Sequence, residues 1–189
     1  MSPRLPITTI LIVGLCLMAA AVSAQTDPIG KVDTVSLFLE NTGKGKWMIS
    51  VHIWNDEELA AIDIPIKYTA GIAKLGVDSV SYAGARIESF THKFSPTDSA
   101  AQTVRIGGLA RLTPDKPLLA TGSGEIARIY ISSRDKREPG VFAADSTTLP
   151  PNGTLMLVDK NAKSIIPALK IVTVKPEKKV EKDKGKKED

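Results

Sequence analysis

The stretch WMISVHIWN, residues 47 to 55, alternates Trp47, Ile49, Val51 and Ile53 with Met48, Ser50, His52 and Trp54. A period of two sends the first set to one side of an extended chain and the second set to the other, as in a strand with one buried face. AIDIPIKY, residues 61 to 68, repeats the pattern, with Ile62, Ile64, Ile66 and Tyr68 set against Asp63, Pro65 and Lys67. Further runs of this kind cover 33–40, 75–82, 86–94, 102–110, 125–132, 140–147, 154–159 and 168–174. Turn formers separate them, among them Asn41-Thr42-Gly43, Ala83-Gly84, Pro114-Asp115, Gly122-Ser123-Gly124 and Pro150-Pro151-Asn152-Gly153. No segment keeps a helical apolar period for three turns, so nothing supplies the crossover helices of a parallel sheet. The expected fold is all-β, an antiparallel β-sandwich of jelly-roll topology with about nine strands.

The two ends differ from this body. Residues 1–24 carry one basic residue, Arg4, an apolar run from Ile10 to Val22 and the small-residue ending Val22-Ser23-Ala24 ahead of Gln25-Thr26-Asp27-Pro28. That is the pattern of a secretory signal peptide cleaved after Ala24, and the run is shorter than the ~20 apolar residues of a bilayer span. Cleavage removes Cys16, the single cysteine. Leu15 before it is not the small residue that a lipoprotein site requires. An exported chain without disulfides must be held by its core alone, which roughly 140 residues between Asp33 and Val174 are enough to build. The expected organisation is a signal peptide (1–24), a linker (25–32), one sandwich domain (33–174) and a charged tail (175–189). The mature chain is expected in the periplasm, in the medium or at the cell surface, without membrane insertion.

The net charge of +4 belongs to the ends. The tail KPEKKVEKDKGKKED has 7 lysines against 5 acids and a single aliphatic residue, Val180, so disorder is expected of it. The nearly neutral body lacks the basic surplus of a nucleic-acid binder.

Little in the body resembles catalytic chemistry. Asp56, Glu57 and Glu58 are consecutive in a polar connection, whereas a glycosidase sets two carboxyl groups across a cleft, about 5 to 9.5 Å apart. No Gly-x-Ser-x-Gly elbow occurs, and the mature chain has no thiol. The chain is therefore not expected to be an enzyme. His52 and His92 are the only imidazoles and have no companion ligands at zinc-binding spacing. Asp159-Lys160-Asn161-Ala162-Lys163 starts like a calcium loop, but it puts lysine at the third acidic position and reads better as a hairpin turn. No cofactor is expected beyond a weak calcium contact at the 56–58 loop. Asn152-Gly153-Thr154 matches the glycosylation sequence and reads as a turn.

The candidate binding residues are those expected on the polar faces of strands: His52 and Trp54 on one and Asp63 and Lys67 on the next, taken together as one contact face, with Arg128 and Tyr130 on the run EIARIYIS as a second outward pair on the same face or the opposite one. An outward tryptophan offers a large apolar area with little rotamer freedom to lose, as a protein anchor or a sugar platform. The opposing reading is a Trp54 covered by a loop and closing the core.

The order ISVHIWNDEELAAIDIPIKY, then Tyr82-Ala83-Gly84, then VRIGGLA, then GSGEIARIYIS resembles the cohesin-type domain over residues 33–174. Gly122, Gly124, Ile126, Ala127, Ile129 and Ile131 fall in the order of that family's Gly-Asp-Gly-x-Leu-Ala-x-Ile-x-Phe strand. Two positions depart from the pattern: Thr69 follows Tyr68 where an Asp is expected, and Ser123 stands where Asp is frequent. The resemblance implies a non-catalytic, exported jelly roll, related to carbohydrate-binding modules, whose partner is a dockerin module or another exported protein. Polysaccharide recognition is the second class, and a structural envelope or surface domain the third. With 5% aromatic residues, the chain is poorly supplied for a glycan platform, so the protein partner is favoured.

Overall fold

A computed structural model describes residues 30–110, 117–150 and 153–174. The alternating runs become strands β1 (Thr34–Gly43), β2 (Lys46–Asn55), β3 (Leu59–Ala70), β4 (Leu75–Ser81), β5 (His92–Phe94), β6 (Thr97–Asp98), β7 (Thr103–Leu109), β8 (Gly122–Ser133), β9 (Phe142–Ser146), β10 (Met156–Asp159), β11 (Ser164–Ile165) and β12 (Ala168–Val174). The described residues contain no helix. The signal peptide, residues 25–29 of the linker, the charged tail, Pro114-Asp115 and Asn152 lie outside the described residues.

Two sheets face each other. The first runs β12-β1-β2-β8-β4; the second runs β11-β10-β3-β7-β5, with β9 also paired to β3 and β6 to β7. Every pairing is antiparallel except β1 with β12. This is the expected sandwich of jelly-roll type, with one parallel pair added at an edge. The inward positions form a single core. Val35, Leu37, Trp47, Ile49, Val51, Ile53, Ile129 and Ile131 from the first sheet meet Ile62, Ile64, Ile66, Tyr68, Val104 and Ile106 from the second, and all are buried.

Counting twelve strands instead of about nine reflects interruptions. One edge of β3 is shared, with β10 along its first half and β9 along its second. The far edge of β7 is likewise shared by β5 and β6. One expected strand is corrected: of residues 86–94 only His92–Phe94 is extended. The rest turns, with Glu88 N donating to Ala85 O (2.9 Å) and Phe90 N to Ile87 O (3.0 Å). Ile87 and Phe90 are buried, and a three-residue separation brings them to the same side of a turn, not of a strand. The hairpin turn expected at Asp159 is present, since its Oδ1 accepts from Asn161 N and Lys163 N, both at 2.8 Å. These amides hold the Asp159 carboxyl below its ordinary pKa, with Lys163 the larger cause. No helix among the described residues is long and apolar enough to cross a membrane.

Candidate functional site

The acidic stretch after β2 is the connection that carries the chain from the first sheet to the second. Asn55 is buried at its start, donating to Glu57 O (2.6 Å) and Ala120 O (3.1 Å) and accepting from Arg86 Nη1 (3.0 Å). Arg86 also donates to the carbonyls of Ile53, Gly122 and Ala120. Its stem passes Gly124 so closely that a Cβ there would lie 2.8 Å from Arg86 Cδ, which is why the Gly-x-Gly turn of β8 takes glycine. This partly buried guanidinium, its pKa lowered by desolvation, ties the strand ends together.

The acids do not all diverge into water. Asp56 Oδ2 accepts from Lys31 N (2.7 Å), and Asp33 Oδ1 accepts from Asp56 N (3.3 Å). The Lys31 amide is the main cause holding the Asp56 carboxyl below its ordinary pKa. Asp33, Asp56 and Glu57 each present an oxygen within 4.8 Å of the others, while Glu58 turns away toward Lys160 (3.6 Å). The carboxylates that come together here are therefore Asp33, Asp56 and Glu57, with buried Asp33 in place of the Glu58 of the 56–58 loop. His52 stands on β2 of the first sheet and His92 on β5 of the second, so they share no site.

The six residues expected to bind fall on two faces. His52, Trp54, Arg128 and Tyr130 share the outer face of the first sheet, where Ser50 sits beside Arg128 and Met48 beside Tyr130. Asp63 and Lys67 lie on the outer face of the second sheet. The expected grouping of Asp63 and Lys67 with His52 and Trp54 is therefore corrected. The strands follow each other in sequence, but the acidic connection crosses the sandwich between them.

On the first face, Arg128 is paired with Glu125 (Nη2 to Oε1, 2.7 Å), and His52 Nε2 lies 3.9 Å from Glu125 Oε2. The His52 ring meets Phe38 edge-on at 4.7 Å. Trp54 is half-buried, and Tyr130 is 38% exposed.

The second face is built differently. Cross-strand register sets Met156, Asp63, Gly107 and Phe94 in one row across β10, β3, β7 and β5. Arg105 on β7 reaches diagonally to Asp63, donating from Nε to Oδ1 (2.6 Å) and from Nη2 to Oδ2. That bidentate bond raises the pKa of Arg105 further, so it is permanently charged. Its guanidinium stands 5.8 Å from the centre of the Phe94 ring. The ring lies on Gly107, where an added Cβ would meet Phe94 Cζ at 1.9 Å. The strand under it is tethered as well, with Tyr82 Oη donating to Phe94 O (3.0 Å) and Lys93 Nζ to the carbonyls of Glu88 and Phe90. Phe94 is nevertheless 43% exposed. Sequence reasoning missed Phe94 and Arg105, although the Gly107-Gly108 pair in VRIGGLA marked a strand over which a neighbouring side chain can lie.

No family model and no curated protein sequence matches the chain. Solved structures do. The sixth cohesin of scaffoldin B from Acetivibrio cellulolyticus, solved with a Cel5 dockerin variant, matches with a TM-score of 0.58 at 12% identity over 76% of this chain and 100% of that one.

The chain has the cohesin fold.

A cohesin of Clostridium acetobutylicum matches at 0.55 with 18% identity, over 76% of this chain and 93% of that one. A type II cohesin of Acetivibrio cellulolyticus matches at 0.52 with 12% identity, over 75% of this chain and 92% of that one. The cohesin-like segment therefore takes in nearly the whole of each matched domain.

Proposed function

We propose that the chain is an exported, non-catalytic binding module that docks a dockerin-bearing or other surface protein on the outer face of its second sheet. One observation carries this reading. Phe94 is 43% exposed, yet it is already held between Gly107 and Arg105, and Asp63 holds Arg105 in turn. An exposed aromatic and an arginine that are ordered before binding lose little entropy when a partner covers them, which is the character of an interface anchor. Lys67 and Asp145, paired across β3 and β9, give the same face a charged rim. On the first face Glu125 neutralises Arg128 and Trp54 is half-buried.

The cohesins matched in fold include ones solved in complex with dockerins, which supports a dockerin as the partner to try first. Glycan binding is less well served. Among the described residues, Phe94 is the one large aromatic exposed on the second face and Tyr130 the one on the first, so neither face offers a line of rings. The test is calorimetric titration of the chain from Gln25 to Asp189 with a panel of dockerin modules, beside sedimentation with insoluble polysaccharide. Binding to a dockerin that Phe94→Ala weakens and Trp54→Ala leaves unchanged is the expected result. Co-sedimentation with polysaccharide and no dockerin binding would refute it.

A further inference from the structure

β12 is the one long, regular edge of the sandwich among the described residues. It pairs with β1 without interruption from Thr34↔Ala168 to Glu40↔Val174, and no described strand pairs with its other side. The other edges are shorter or interrupted, β9 being a regular edge of only 5 residues. β5, β6 and β11 span 3, 2 and 2 residues. β4 is broken by a bulge between Val77 and Ser79, beside the Asp78–Arg134 ion pair. Short strands, bulges and charges are the usual protection of a sheet edge, and on β12 Lys170 alone serves that purpose.

The register also shows what lies uncovered. Leu169, Ile171 and Thr173 pair with Val35, Leu37 and Leu39, so they point toward the core side of the first sheet. Val35, Leu37 and Leu39 are 0%, 0% and 3% exposed, whereas Ile171 is 44% exposed. A hollow of about 490 Å³ opens beside Leu169, Leu155 and Ile166, and one of about 260 Å³ beside Thr173, Leu39, Trp47 and Phe142. The seam between the sheets is therefore open along β12, and closing it takes one more strand with apolar residues at alternate positions.

We propose that this strand is the β12 of a second copy, paired antiparallel so that the first sheet continues across a two-fold axis. The segment is its own complement. Centred on Ile171, the pairing sets Ile171 against Ile171 and Leu169 against Thr173, all on the inner side of the joined sheet. The sequence continues from Val174 into the lysine-rich segment 175–189. Antiparallel pairing sets the two Val174 residues, after which the lysine-rich sequence begins, at opposite ends of the interface. The outer face of the second sheet stays free, so this inference does not rest on the docking reading.

The experiment is sedimentation velocity on the chain from Gln25 to Asp189, from micromolar to millimolar concentration, with hydrogen exchange at both extremes. The wild type is expected to pass from monomer to dimer while amides of β12 become protected. Ile171→Lys is expected to remain a monomer throughout, with circular dichroism confirming that it folds. A wild type that stays monomeric overturns the proposal, as does a dimer without added protection in β12. Self-association that survives Ile171→Lys, or is lost on Phe94→Ala instead, overturns it equally.

Discussion

The two outer faces come from the same pattern of alternating strands, yet one carries an assembled cluster and the other a set of separate neighbours. On the second sheet Asp63, Arg105, Gly107 and Phe94 depend on one another: the carboxylate orients the guanidinium, the guanidinium stands over the ring, and the ring rests where a side chain is missing. On the first sheet the Glu125–Arg128 pair and the Phe38–His52 contact are local, and Tyr130 stands between Met48 and Ser79 of the neighbouring strands. Exposure alone therefore does not separate the two faces. What distinguishes the second face is that its exposed groups are already ordered by contacts that cost nothing further on docking.

The largest effect expected of a change to this comparison is that of Gly107→Val. Its side chain would occupy the space of the Phe94 ring and dismantle the cluster. Titration should show dockerin affinity falling by at least about 2 kcal/mol, roughly 30-fold. A melt should show a loss of about 1–3 kcal/mol from overpacking, without loss of the fold. Asp63→Asn comes next. It leaves the shape but weakens the hold on Arg105, with an expected loss of about 1 kcal/mol in docking, read in the dissociation rate. The same titrations on Tyr130→Ala and Arg128→Ala should move by less than about 0.5 kcal/mol, because a surface away from the interface contributes little.

Acid sharpens the picture in another way. Asp159 and Asp56 both have folded-state pKa values below the ordinary one, from backbone amides. A depressed carboxyl pKa stabilises the fold fully above the unfolded value, and that contribution is lost as the pH falls below about 4. Denaturant melts of Asp159→Asn against wild type should differ near neutral pH and converge in acid, with the loss centred on the β10–β11 turn beside the second face. A constant difference at all pH values contradicts this.

The strands themselves were readable from sequence, because Trp47 to Ile53, Ile62 to Tyr68 and Ala127 to Ile131 send their alternate apolar residues into the core, although Ser50, Asp63 and Pro65 on the other side are covered as well. The partition into sheets was not. Nothing in NDEEL distinguishes a hairpin from a connection that crosses the sandwich, and that ambiguity placed Asp63 beside His52 when they lie on opposite faces. The segment 86–94 misled for a related reason, since buried apolar residues suggest a strand until their separation of three, Ile87 to Phe90, is noticed. The cluster on the second face was invisible for a different reason. Asp63, Phe94 and Arg105 are far apart in the chain, and only the register of β3, β5 and β7 brings them together.

The most direct test of the docking face is a hydrogen-exchange footprint of a bound dockerin on the chain. The account predicts slowed exchange in β3, β5, β7 and β10, around Asp63, Phe94, Arg105 and Met156, with β1, β2 and β8 unchanged. Protection centred on His52, Trp54, Arg128 and Tyr130 instead would contradict it.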